Sequence, residues 1–171
     1  MPQRAFLRGS PLFVGGKMSI VRFYRDDPQA PKPNKPTRLG ANVLITYNNM
    51  LLLEKRVDSD SWGLVGGGVK PHETPLEGIT REVYEELGLR IPNTKFVKQK
   101  VYGEPGRIAA YQDGSIWRMV IVAYILALDT FPEMRISKES KELRFFTCEE
   151  LRDINIVVTH KDVIEELFIN K

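Results

Sequence analysis

GGGVKPHETPLEGITREVYEELGL, residues 66–89, is the stretch that decides how this chain folds. Thr74-Pro75-Leu76-Glu77 within it is a capping box with proline at the first helical position. The Thr74 hydroxyl can accept from the free amide of Glu77, and the Glu77 carboxylate can reach back to the Thr74 amide. Gly88 stands where a left-handed residue ends a helix. The two signals predict a helix over residues 75–87. Gly78 inside that helix costs about 1 kcal/mol relative to alanine, which a close approach to a sheet would explain.

At about 100° per residue, Leu76, Ile79, Val83 and Leu87 share one stripe, the predicted buried face. Glu82, Glu85 and Glu86 share a neighbouring stripe roughly 100° wide. Three carboxylates so placed repel one another and weaken the helix. A hard divalent cation resolves the conflict, because Mg²⁺ prefers carboxylate oxygens together with substrate phosphates. Arg81 lies one turn before Glu85 and can orient the cluster. The glycine run permits close backbone approach and can turn carbonyls or amides toward a metal or a phosphate. A strand ending in a glycine loop and followed by an acidic helix therefore predicts attack of water on phosphorus.

Outward from this segment the chain alternates between strands and turns. Ala41–Tyr47 and Met50–Arg56 read as strands joined by a tight turn at Asn48-Asn49, since asparagine tolerates positive φ. Trp62–Val65, Lys95–Tyr102, Arg118–Leu128 and Glu142–Phe146 read as further strands, and Asp113-Gly114 as a hairpin turn. Thr147–Asp153 reads as a short helix. His160–Phe168 reads as a terminal helix capped by Thr159, with Asp162 three positions on. The order implies an α+β fold, a mixed sheet with a few helices packed on it.

Three prolines in Pro31-Lys32-Pro33-Asn34-Lys35-Pro36 mark a boundary, dividing residues 1–36 from a domain over residues 37–171. Before it, Met18–Tyr24 reads as one strand, and Met18 after Gly15-Gly16-Lys17 is an alternative start. Residues 1–38 hold eight Lys/Arg against two Asp/Glu, although the net charge of the chain is only +3. Those charges are spread out, which favours a solvated arm over a nucleic-acid contact.

With 171 residues, 42% apolar and 27% charged, the chain can bury a core without staples. The single cysteine, Cys148, excludes an internal disulfide and suits a reducing, cytoplasmic setting. It reads as a packed residue rather than a nucleophile. Two histidines and one cysteine do not make a structural zinc site. The apolar run Met119–Leu128 is half the length of a spanning helix, about 20 residues, and the N-terminus forms no secretory core, so no membrane partner is expected.

Gly67, five residues, Glu73, seven residues, then Arg81-Glu82-Val83-Tyr84-Glu85-Glu86-Leu87-Gly88-Leu89 is similar to the full signature of the Nudix hydrolase family. The resemblance implies an α/β/α sandwich around a mixed β-sheet, with Mg²⁺ or Mn²⁺ as cofactor. It implies hydrolysis of a pyrophosphate bond in a small nucleotide, either a nucleoside diphosphate sugar such as ADP-ribose or a nucleoside triphosphate. By the family pattern Glu82, Glu85 and Glu86 look like metal ligands, Gly66 offers its carbonyl, Glu73 is a secondary acid and Arg81 orients the glutamates. The general base stays open among Glu82, Glu139 and Glu142. Gly67 and Arg56 are candidate substrate contacts, with a solvated strand-end cation as the other reading of Arg56. Trp62 reads as core and His72 as a solvated loop residue. A homodimer is compatible with the resemblance, since oligomeric state often shapes the pocket in this family. Val65 departs from the proline the family often carries there. Two rivals stand beside the hydrolase: a nucleotide-binding sensor without turnover, and an RNA 5′-end pyrophosphohydrolase using the basic arm.

Overall fold

The computed structural model describes residues 7–8 and 20–171. Met18 and Ser19, assigned to the first strand and its start, lie outside the described residues. Ten strands are present among the described residues: β1 Leu7–Arg8, β2 Val21–Arg25, β3 Arg38–Tyr47, β4 Met50–Arg56, β5 Trp62–Gly63, β6 Val65–Gly68, β7 Val97–Tyr102, β8 Arg107–Tyr111, β9 Ile116–Ala127 and β10 Ser140–Phe146. Helix α1 spans Pro75–Leu87 and α2 spans Val158–Ile164.

The central feature is the parallel pairing of β3 with β9, from Arg38↔Met119 to Thr46↔Ala127. The sheet runs β1-β10-β4-β3-β9-β8-β2, with β5 added to β4, β6 to β3 and β7 to β9. Every other pairing is antiparallel, so the sheet is mixed. Alternate residues of β3 serve the two faces. Ala41, Val43 and Ile45 pack with Ile79, Val83 and Leu87 of α1. Leu44 packs on the other side with Val163 and Ile164 of α2 and with Trp62 and Phe146. The result is an α/β/α sandwich of the α+β class. Trp62 is core, its ring edge-on to Phe146 at 4.7 Å. Among the described residues no helix is long and apolar enough to cross a membrane.

Both written ends of α1 are in place. Thr74 Oγ1 accepts from the Glu77 amide at 3.2 Å, and Glu77 accepts from the Thr74 amide at 2.7 Å. Gly88 closes the helix at φ 73°. Asn48 and Asn49 take φ 46° and 58°, the turn that joins β3 to β4.

Four expectations need correction. First, the glycines are not a loop. Gly66, Gly67 and Gly68 belong to β6 and pair with Asn42, Ala41 and Gly40 of β3; the sheet satisfies the backbone groups that face β3, and Glu86 and Arg81 take the Gly66 amide and the Gly68 carbonyl. Second, Thr159 does not cap α2. The helix begins after Val157 with no side-chain cap, and Thr159 is buried in the first turn. Asp162 is drawn instead to Arg107 at 2.6 Å and Arg25 at 3.2 Å, because a buried guanidinium outcompetes a backbone amide for a carboxylate. Third, residues 147–153 hold only a 3₁₀ turn, Glu150–Arg152. Fourth, Arg107–Tyr111 is a strand. It pairs with β2, so the strand before the proline-rich segment forms the outer edge of the same sheet.

No close approach to the sheet accounts for Gly78, where a side chain would make only ordinary contacts. A methyl group there would meet Glu73 and Val69 at 3.4 Å.

Helix α2 is also docked through His160, whose Nδ1 accepts from the Leu64 amide at 3.1 Å, between β5 and β6. Burial, then the charges of Arg56 and Arg107, push the imidazole down to about 3, so it is neutral with its proton on Nε2. In the unfolded chain the same group titrates near about 6.5. The unfolded state therefore binds the extra proton between these values, and this contribution to stability is whole above the unfolded value and is lost as pH falls toward about 3. Urea unfolding from pH 7.5 to 4.5 should show a shallower pH dependence for His160→Gln than for wild type. The difference in slope approaches about 1.4 kcal/mol per pH unit, the limit for one proton.

Candidate active site

Arg81 is the organising cation of the acidic helix face. Its Nε donates to Glu73 Oε1 at 2.6 Å, and Nη2 donates to Glu73 Oε2 and to the Gly68 carbonyl, both at 3.0 Å. Nη1 donates to Glu82 at 2.7 Å and to Glu85 at 3.1 Å. One planar guanidinium thus joins the loop, the helix and the glycine strand, a task that needs its rigid fork of donors. The fork holds Glu73 well below the usual carboxylate range, at about 2.

The glycines make room for the acids. A methyl group at Gly67 would lie 2.7 Å from Glu82 Oε1, so the Glu82 carboxylate rests on the bare Cα of Gly67. Gly66 takes φ 145°, and a side chain there would drive into the Ala41 carbonyl and Asn42. Its amide donates to Glu86 Oε2 at 3.2 Å. Gly66 therefore meets the acids through its N–H.

Glu86 is buried, and its neighbour is an acid the sequence reading did not single out. Glu54, on β4, is 2% exposed. Ser140 Oγ donates to it at 2.6 Å, and Arg56 Nη1 lies 3.9 Å away. Burial pushes Glu54 up to about 7. Burial, followed by the charges of Glu54 and Glu82, holds Glu86 well above the usual range. Burial also raises Glu82, against the opposing effect of Arg81. A legible signal for Glu54 was a carboxylate continuing the apolar run Leu51-Leu52-Leu53 of a buried strand.

Glu139 is exposed on the segment before β10, and its charge acts on both Glu54 and Glu82. Glu142 lies on β10 opposite Lys55. Arg56 is committed to Asp58 by two hydrogen bonds, at 2.8 and 2.6 Å, and stacks on Phe23. His72 is exposed in the segment between β6 and α1. A groove of about 610 Å³ runs along the outer face of α1, lined by Thr80, Tyr84 and Arg90, and meets the acid cluster only at Arg81.

The donor set suits a hard divalent cation. It consists of carboxylates, two of them buried beside each other with their ionised forms disfavoured, a cost that a cation offsets. As the side chains stand, among the described residues no three acidic, histidine or cysteine groups close around a single point, because Arg81 draws Glu82 and Glu85 to itself.

The family model for the NUDIX domain matches residues 36–167. The chain belongs to the Nudix family. A Nudix relative, nucleoside triphosphatase NudI of Enterobacter sp. (strain 638), is 29% identical over 119 residues, 66% of this chain and 84% of its own. An RNA pyrophosphohydrolase of Psychromonas ingrahamii is 38% identical over 61 residues, 35% of this chain and 34% of its own. Among solved structures, a bifunctional NMN adenylyltransferase/ADP ribose pyrophosphatase from Francisella tularensis, complexed with AMP and Mn ion, superposes with a TM-score of 0.61 at 21% identity. That match covers 80% of this chain and 42% of the bifunctional protein.

The Nudix glycines separate two kinds of constraint. Gly66→Ala meets backbone at a positive φ, so urea unfolding should show a loss of at least about 3 kcal/mol. Gly67→Ala meets only the movable end of Glu82 and should stay within about 1 kcal/mol of wild type. Equal losses would contradict this division.

Proposed function

We propose that this Nudix chain hydrolyses a pyrophosphate bond in a nucleotide, with Glu82, Glu85 and Glu86 holding a divalent cation, magnesium or manganese. The observation that carries the reading is the single guanidinium of Arg81 gathering Glu73, Glu82 and Glu85 against the glycine strand, beside the buried Glu86. When bound, the cation polarises phosphoryl oxygens and offsets the developing charge. Arg81 keeps Glu82 and Glu85 beside the glycine strand, and a bound cation would compete with it for their oxygens. Gly67, having no side chain, leaves room for the Glu82 carboxylate against the strand. Glu82 and Glu139 are the two candidate bases that share the site, and either can take the proton of the attacking water.

Several substrate classes fit this chemistry: nucleoside triphosphates, ADP-ribose-like diphosphates and triphosphorylated RNA 5′ ends. The relatives' names include a nucleoside triphosphatase and an RNA pyrophosphohydrolase. We favour small nucleotides, since the basic residues of the arm are spread rather than clustered.

The test is turnover of such a panel with Mg²⁺ or Mn²⁺ by wild type, Glu85→Gln and Glu86→Gln. Loss of activity by about a hundredfold or more in both variants supports the assignment. Glu86→Gln should also melt higher than wild type at pH 8, because it removes a buried carboxylate whose ionisation is disfavoured. In the same assay Glu139→Gln should lower kcat and Glu142→Gln should not. Nucleotide binding without turnover by the wild type would point to a sensor instead.

A further inference from the structure

The arginines near the site differ in one respect. Arg56 is neutralised by Asp58, Arg81 by three glutamates and Arg107 by Asp162 and Glu104. Arg38 is half-buried at the start of β3, and among the described residues no hydrogen bond or ion pair engages it. Its guanidinium lies 5.6 Å from the centre of the Trp117 ring. It also lies against Gly68, where a methyl group would fall 2.9 Å from Nη2 and 3.1 Å from Nε. An indole and a bare glycine therefore hold a cation in place without cancelling its charge.

Its position relative to the acids follows from strand geometry. Gly68 is two residues beyond Gly66, whose amide binds Glu86, a separation of roughly 7 Å along the strand. Gly67 between them carries Glu82 on the α1 side. Arg38 alternates with Leu39 and so projects to the opposite face, like Gly40 and Asn42. Strand β6 pairs with β3 alone, and its second edge is taken by side chains, Glu86 at the Gly66 amide and Arg81 at the Gly68 carbonyl. A polyanion that crosses this edge at Gly68 passes the Arg81 guanidinium between the carboxylates on the α1 face and Arg38 on the other.

We propose that Arg38, set between Gly68 and Trp117, binds a substrate phosphate beyond the pyrophosphate linkage that is cut, selecting nucleoside triphosphates. The inference rests on the reading of the acidic helix as the hydrolytic site. In a nucleoside diphosphate sugar both phosphates flank the scissile bond and belong to the carboxylate end. A separate uncompensated cation suits a third phosphate. Guanidinium matches phosphate through paired N–H donors, and the ring face of Trp117 fixes its plane.

The test uses the full chain as wild type, Arg38→Gln, Arg38→Lys and Trp117→Phe. Inorganic triphosphate and pyrophosphate are titrated in EDTA and again with magnesium, by calorimetry and by tryptophan fluorescence. Trp62 is the other indole and is buried, so Trp117→Phe assigns the fluorescence response. Wild type should bind triphosphate more tightly than pyrophosphate. Arg38→Gln should weaken triphosphate at least tenfold with little change for pyrophosphate, Arg38→Lys should recover part of the loss, and Trp117→Phe should abolish the fluorescence change. In turnover, Arg38→Gln should raise KM for a nucleoside triphosphate about tenfold while leaving ADP-ribose unchanged. Triphosphate binding that Arg38→Gln leaves intact, or no triphosphate binding by the wild type, overturns the proposal. Hydrolysis with unaltered triphosphate binding in Arg38→Gln would remove this role and keep the enzyme. Arg38-dependent binding without any turnover would do the reverse.

Discussion

The fork of Arg81 is the contact on which the arrangement of this molecule depends. Five acceptor atoms from three segments converge on it: two from Glu73, one each from Glu82 and Glu85, and the carbonyl of Gly68. Without it, α1 would carry a stripe of like charges with nothing to hold them near the sheet. With it, the repulsion becomes a tether between helix and strand. The same contact explains why Gly68 sits in a paired strand, since its carbonyl is held by Arg81 while its backbone registers with Gly40.

Around this tether the fold separates stability from chemistry. The apolar stripe of α1 seals one face of the sheet and α2 seals the other. The long strand β9 serves both wings, pairing with β8 through Ile116–Arg118 and with β3 through Met119–Ala127. The acids lie at the end of this sandwich, where Glu54 and Glu86 are buried beside each other at a cost that the surrounding core supports. Buried carboxylates with disfavoured ionisation cluster at functional sites because a stable structure does not otherwise keep them.

Several features lay open in the residues themselves. The capping box at Thr74, the stop at Gly88, the acid stripe and the Asn48-Asn49 turn are all set by groups within a few positions of one another. Their geometry follows from helical pitch and allowed dihedrals, and the structure reproduces each. The apolar run of β9 was readable for the same reason, since a strand buried on both faces needs no alternation. Less was legible of the site. Glu54 meets Ser140 across 86 positions, and the Leu64 amide meets His160 across 96, distances over which sequence spacing carries no information.

By itself, then, the sequence determined the helix, its ends, its two faces and the identity of the acids on it, because these follow from short-range hydrogen bonding and period. Only the tertiary structure decided that the glycines form a strand, that Asp162 serves Arg107 rather than a helix cap, and that Glu54 is buried beside Glu86. Each of those outcomes is a competition between a local partner and a distant one. The distant partner wins where burial removes water and makes an unpaired charge or amide costly.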